Sequence, residues 1–265
     1  MNDHVQKCWN TALALLQPTE AQLQHGLELH RAALVIDAYG FAPRAAMDGA
    51  AYRALYEAGA SEAELADFSE DQTMTRMADC PEEEEEFRAA WEWSGLTCIV
   101  QNAGEEGQAV ERLVKRLARY TYTTDRLRDF LSRAAWPEDI VAAHAEGRHC
   151  LYFSGNGVPL AQQGVSLEEE LRYIRLFFQL GIRMMHITYN RRNVIGDGCA
   201  EPANAGLSDF GRAVVAELNR QGVIADVAHS GWQTSLETAQ CSTKPMVASH
   251  TVCAALNPHH RSKPD

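Results

Sequence analysis

The seven cysteines of this 265-residue chain (Cys8, Cys80, Cys98, Cys150, Cys199, Cys241 and Cys253) contain no C-x-x-C pair. Scattered and odd in number, they argue against a disulfide framework and against a cysteine-built zinc knot. They suit free or packed thiols in a reducing compartment. Basic residues are also scarce. Lys and Arg number 24 against 36 Asp and Glu, a net charge of −12. Nucleic-acid binding needs a basic face, so that partner is not expected. The acidic field mildly favours cations. No run of about 18 apolar residues occurs, so no membrane-spanning helix is expected. The opening "MNDHVQKCWNTALALLQPTE" lacks a basic n-region and a long apolar core, and we read no signal peptide. A soluble cytoplasmic protein is the expectation. G-x-S-x-G, P-loop and H-E-x-x-H motifs are absent, as are low-complexity linkers and internal repeats.

What is present suffices for one large domain, since 46% of the residues are hydrophobic. Residues 10–32 read as helical with a break at Pro18-Thr19. Strands are expected at about 33–39, 97–104, 149–157, 182–190, 223–229 and 245–250. Helices are expected within 44–95, over 107–134 with a break near 121–124, and at 167–181, 209–222 and 231–240. The run "PEEEEEF" (81–87) reads as a solvated helix start, its carboxylates near the positive end of the helix dipole. From residue 149 strands and helices alternate at about 35-residue spacing, the rhythm of βαβ units on a parallel sheet. Polar residues at strand ends (Asn156, Tyr189, His229, His250) are the habit of a (β/α)8 TIM-type barrel, here with about six of its eight strands.

His229 and His250 are the sharpest pair. Each closes an apolar strand, "VIADVAH" and "PMVASH", and one crossover separates them, so both imidazoles should face the same end of the sheet. Neutral imidazole suits zinc, manganese or iron, and two structural histidines bonded to loop carbonyls would show the same pattern. Asp226 is read as a helix-facing hydrogen-bonding group. Arg261, in the loop after His250, could clamp a carboxylate through a bidentate pair. Asp37 lies at the centre of the first strand in "VIDAYGFAP", while Tyr39 and Tyr189 end strands and could donate hydrogen bonds into a pocket.

From about residue 25 onward the chain resembles the renal, or membrane, dipeptidase family of metallopeptidases. The resemblance rests on "LGIRMMHITYNRRNVIGDG", "GLSDFGRAVVAELNRQGVIADVAHSG" and "KPMVASHTVCAALNPHHRSKPD", in order and in spacing. It implies a (β/α)8 barrel with a two-zinc site that hydrolyses dipeptides. The family's two metal-binding histidines fall on His229 and His250, and its substrate-carboxylate arginine on Arg261. The rest departs. The first-strand His-x-Asp pair falls on Tyr39 and Phe41, the bridging glutamate on Asn156, and the fourth-strand histidine that helps bind the scissile carbonyl on Tyr189. The final aspartate would lie beyond residue 265.

A phenyl ring cannot coordinate zinc, and asparagine cannot bridge two cations. The resemblance with these departures therefore implies one divalent metal rather than two, or none. Two functions stay open. One is a hydrolase acting on a small dipeptide-like substrate, with His229 and His250 on the metal, Tyr189 and Asp37 catalytic, and Arg261, Tyr39 and Asn156 holding the substrate. The other is an inactive barrel that binds a small carboxylate or a protein partner. The whole chain is expected to form a single barrel domain with residues 1–32 packed on it. Six strands would leave two open edges, so a fragment of a longer chain or a homodimer is expected.

Overall fold

Helices begin where side-chain oxygens cap their free amide groups. The computed structural model describes residues 3–107, 109–162, 164 and 166–264, with side chains from residue 5. The chain divides at residues 35 and 36 into two units. The first holds α1 (Asp3–Leu16) and α2 (Glu20–Ala32), separated where Pro18-Thr19 predicts a break, and Thr19 forms a capping box with Gln22. The second begins with β1 (Ile36–Gly40), α3 (Gly49–Glu57), α4 (Glu62–Thr75), α5 (Pro81–Ser94) and β2 (Cys98–Glu105). It continues with α6 (Val110–Arg126), β3 (Leu131–Ala134), α7 (Pro137–Ala145), β4 (His149–Asn156) and α8 (Leu167–Gln179). It ends with β5 (Met184–His186), α9 (Asp209–Gln221), β6 (Ile224–Asp226) and α10 (Trp232–Cys241). Ser61, Ser166 and Ser208 cap α4, α8 and α9, and Gly222 ends α9 in the left-handed conformation at φ +80°. Glu82, Glu83 and Glu84 fill the first turn of α5 behind Pro81, as expected of a solvated helix start.

The strands are parallel, in the order β1-β2-β4-β5-β6, forming an α/β sheet that matches an incomplete barrel. The six strands are not the six expected. Residues 131–134 pair with β4 as a strand, where the sequence reading continues a helix. That helix stops at Arg126, and its polar, charged continuation hides a four-residue strand whose ends, Leu131 and Ala134, are buried. β3 lines the first half of β4 and β5 the second half, on the side away from β2. The expected strand at 245–250 contributes only a parallel bridge, Asp226 with Val247, closed by Val227 N–H donating to Val247 O and Val247 N–H to Ala225 O. Among the described residues, β1 and Val247 therefore form the outer edges of the main path, and β3, paired only with β4, leaves a further one.

One face of the sheet carries the core. Ile99, Leu151, Phe153, Met185, Ala225 and Val227 pack against Leu117, Ile174, Phe177, Val214 and Leu218 of the covering helices. Phe177 and Leu218 are fully buried, and each contributes roughly 1.5–3 kcal/mol relative to exposure. Strand alternation then sends Met184, His186 and Asp226 to the opposite face, away from these helices. Asp226 is thus not helix-facing, as its sequence had suggested, because apolar Ala225 and Val227 take the helix side.

Candidate active site

The C-terminal ends of β5 and β6 supply the centre of the site. His186 and Asp226 are register partners, both fully buried. His186 Nε2 lies 2.8 Å from Asp226 Oδ2, at ion-pair distance but without hydrogen-bond alignment, and neither ring nitrogen of His186 has a hydrogen-bond partner among the described residues. The Asp226 carboxylate is well anchored. Oδ1 accepts from the amides of Ala228 (2.9 Å) and Ser249 (3.2 Å), and Oδ2 accepts from the Ser249 hydroxyl. Burial pushes this carboxyl up, but the neighbouring His186 and these donors outweigh it and hold it below the usual carboxylate range.

His229 and His250 reach the same place from beyond the strand ends. After β6 the chain turns, with Ser230 N–H donating to Val227 O, so strand alternation no longer decides where His229 points. Its Nδ1 lies 2.9 Å from Asn190 Oδ1, an oxygen that also accepts from Cys199 Sγ. On the other ring, His250 Nδ1 lies 2.8 Å from Ser249 Oγ, whose own proton is committed to Asp226. Both Nδ1 atoms are therefore the N–H side of their rings, and both Nε2 atoms carry bare lone pairs. These two Nε2 atoms face each other at 2.9 Å.

Two lone pairs at that distance repel unless a cation lies against both. A proton is a poor candidate at neutral pH. Burial, then the Arg261 charge, pushes His229 down to about 3, and burial, then His186, pushes His250 down to about 4. A metal ion fits better. Ligand atoms of His186, Asp226 and His250 all lie within 4.8 Å of one another, and His229 Nε2 adjoins His250 Nε2. Two imidazoles and a carboxylate make up that group, with His229 beside it through His250 alone, and such donors suit zinc or another divalent first-row ion. A fully buried imidazole whose nitrogens make no aligned hydrogen bond among the described residues also fits a ligand position. Asn190 and Ser249 play the part of outer partners that fix ligand tautomers.

The other predicted residues divide. Tyr39 joins the cluster. Its ring stacks on His250 (centroids 4.0 Å apart, planes at 8°) and meets the edge of His186 at 4.9 Å. Arg261 also joins it, donating from Nη2 to His250 O at 3.2 Å, while its buried Nε has no hydrogen-bond partner among the described residues. Asn156 ends β4 on the same face as Met184 and His186, and its buried Oδ1 has no hydrogen-bond partner among the described residues. Asp37 does not join them. It pairs in register with Ile99, accepts from Tyr39 N–H at 3.1 Å, and folds over Gly40, where a Cβ would meet Asp37 Oδ2 at 2.2 Å. Tyr189 is 37% exposed and stacks on His229 at 4.1 Å.

β5 ends at His186, not at 190, so Tyr189 lies three residues past the strand end, and His186, which the sequence reading passed over, closes the strand. The signal was visible, because "IRMMHI" places one histidine after an apolar run. The sequence reading also passed over Glu106, whose carboxylate accepts from Tyr189 N–H at 2.7 Å and from Asn193 Nδ2, pinning the loop after β5. No helix among the described residues is long and apolar enough to cross a membrane.

A half-barrel of parallel strands with imidazoles and a carboxylate converging at its strand ends is the kind of mouth on which barrel hydrolases place their metals. The model of the membrane dipeptidase family (peptidase family M19) matches residues 24–265, and the chain belongs to that family. Dipeptidase aclJ of Aspergillus oryzae is 37% identical over 94 residues, 35% of this chain and 22% of that protein. Dipeptidase verJ of Clonostachys rogersoniana is 32% identical over the same length. Among solved structures, an amidohydrolase from Pseudomonas aeruginosa is 26% identical with TM-score 0.63, covering 90% of this chain and 59% of that one. The probable dipeptidase PvdM of Pseudomonas aeruginosa shares the fold at TM-score 0.65 and 20% identity, over 91% of this chain and 57% of that one. The chain thus spans less than two thirds of these structures.

Proposed function

We propose that this chain carries the active centre of a dipeptidase-like hydrolase built on one divalent ion, zinc or a similar metal, rather than two. The observation that carries the reading is the pair of bare Nε2 atoms of His229 and His250, 2.9 Å apart, with both opposite nitrogens committed as donors. Three imidazoles and one carboxylate suffice for a single ion. The first-strand side adds no ligand for a second, because Asp37 turns away and Phe41 has no donor atom. Family membership and the dipeptidases among its relatives support the substrate class, a small dipeptide or related amide.

The chain's own residues would divide the work as follows. His229, His250 and His186, with Asp226, hold the ion. When bound, it supplies Lewis acidity and an activated water. Asn190 and Ser249 keep the two imidazoles in the ligating tautomer. Arg261 offers a buried, unpaired Nε to the substrate carboxylate, beside the metal ligands.

Metal content per chain by plasma mass spectrometry, followed by hydrolysis of a dipeptide panel including D-residues, tests the reading. About one ion per chain with chelator-sensitive hydrolysis is expected. No metal in a folded, zinc-supplied sample would overturn it. An ion bound without turnover would favour the alternative of an inactive barrel that binds a small carboxylate through Arg261.

A further inference from the structure

We propose that the Tyr39 hydroxyl is a further catalytic residue, the hydrogen-bond donor to the carbonyl oxygen of the substrate. This rests on the hydrolase reading above and assigns a role that the sequence had given to Tyr189. The backbone of β1 is what aims it. Register shifts between Asp37 and Gly40, and the bulge re-aims Tyr39 away from the face Asp37 shares with Ile99. The ring lands against two of the metal-facing imidazoles, stacked on His250 and edge-on to His186. The hydroxyl is buried and has no partner among the described residues. A buried hydroxyl without a partner is uncommon in a folded protein and points to an acceptor that arrives with the ligand.

Tyr39 is nearly parallel to His250, with ring centroids 4.0 Å apart, so the phenol lies over the imidazole face rather than at its Nε2 edge. That placement suits a hydrogen bond to a substrate oxygen in front of the imidazoles. A phenol is protonated at neutral pH and is a donor there. Tyr189, the mirror-image stack on His229, is 37% exposed, so water can satisfy it. Arg261 Nε and Tyr39 Oη are thus two buried donors of different kinds without a hydrogen-bond partner among the described residues. One is charged and suits a carboxylate, the other neutral and suits a carbonyl or tetrahedral oxygen.

The test compares the wild-type chain with Tyr39→Phe, both zinc-loaded, in two measurements. One is metal content. The other is calorimetric affinity for a phosphinate mimic of a dipeptide, with a free amino acid as the carboxylate-only control. Tyr39→Phe should keep its metal and its affinity for the free amino acid, and lose about 10²-fold in phosphinate affinity, the usual scale for one oxyanion donor. Tyr39→Leu separates ring from hydroxyl, and the proposal expects both variants to lose phosphinate affinity. Equal phosphinate affinity in wild type and Tyr39→Phe overturns this assignment alone. So does loss of metal from Tyr39→Phe, or a larger loss in Tyr189→Phe. A wild-type chain that binds metal but no phosphinate overturns the hydrolase reading and this assignment together.

Discussion

The end of β1 and the ends of β5 and β6 meet at one site but have different chemistry. On the β5–β6 side, His186, Asp226 and His229 are buried, and Asn190 and Ser249 hold the tautomers of His229 and His250. On the β1 side, Asp37 turns back onto its own backbone, Phe41 is 62% exposed, and only Tyr39 reaches the cluster, with a ring and a hydroxyl. The β5–β6 side gathers the candidate donor atoms, and the β1 side lays an aromatic ring against them.

The largest expected effect tests whether the β5–β6 side is sufficient. His229→Ala and His250→Ala should each reduce bound metal from about one ion per chain to background, measured by mass spectrometry. His186→Ala should do the same, and a variant that keeps its ion would move His186 out of the ligand set. The next effect concerns the outer partners. Asn190→Ala and Ser249→Ala should each weaken metal affinity about 10–100-fold, read by competition with a chromophoric chelator.

Acid provides a third way to separate the two sides. His229 and His250 have folded values of about 3 and about 4, below the ordinary imidazole value of about 6.5. Between those limits the unfolded chain binds more protons than the folded one, so stability rises with pH there. Metal-free protein should be most stable above about pH 6.5 and lose stability as the pH falls toward 4, seen as a falling urea midpoint. A flat profile would mean that these imidazoles are solvated. The smallest effect belongs to β1. Asp37→Ala should cost about 0.5–1.5 kcal/mol for the hydrogen bond to Tyr39 N–H, with metal content unchanged. Loss of the ion in that variant would return Asp37 to the site.

Much of this was legible in the sequence, and the failures have physical causes. The parallel βαβ rhythm from residue 149 is present, because apolar strands and amphipathic helices differ in period. His229 and His250 do converge, because one follows β6 and the other the parallel bridge at Val247 beside it. Strand length was the weak point. Reading 182–190 as one strand carried the alternation past its true end at His186, and so put Tyr189 at a strand end that stops three residues earlier. The bulge in β1 could not be read from composition, since alternation alone puts Asp37 and Tyr39 on the same face. β3 was hidden by its neighbours. Residues 107–134 are polar and charged enough to read as helix on both sides of a break near 121–124, and four residues are too few to show a period of two.

The spacing of the site along the chain has a consequence for folding order. His186, Asp226, His229 and His250 fall within residues 186–250, whereas Tyr39 comes from far upstream. The entropic cost of closing a loop grows with its length, so contacts within the 186–250 segment form at a lower cost than the return of β1. An ion that binds those four side chains would stabilise the later half of the sheet before Tyr39 docks. Metal added during refolding should therefore act on the early phase, and the β1 strand, arriving last, would complete the site without having helped to assemble it.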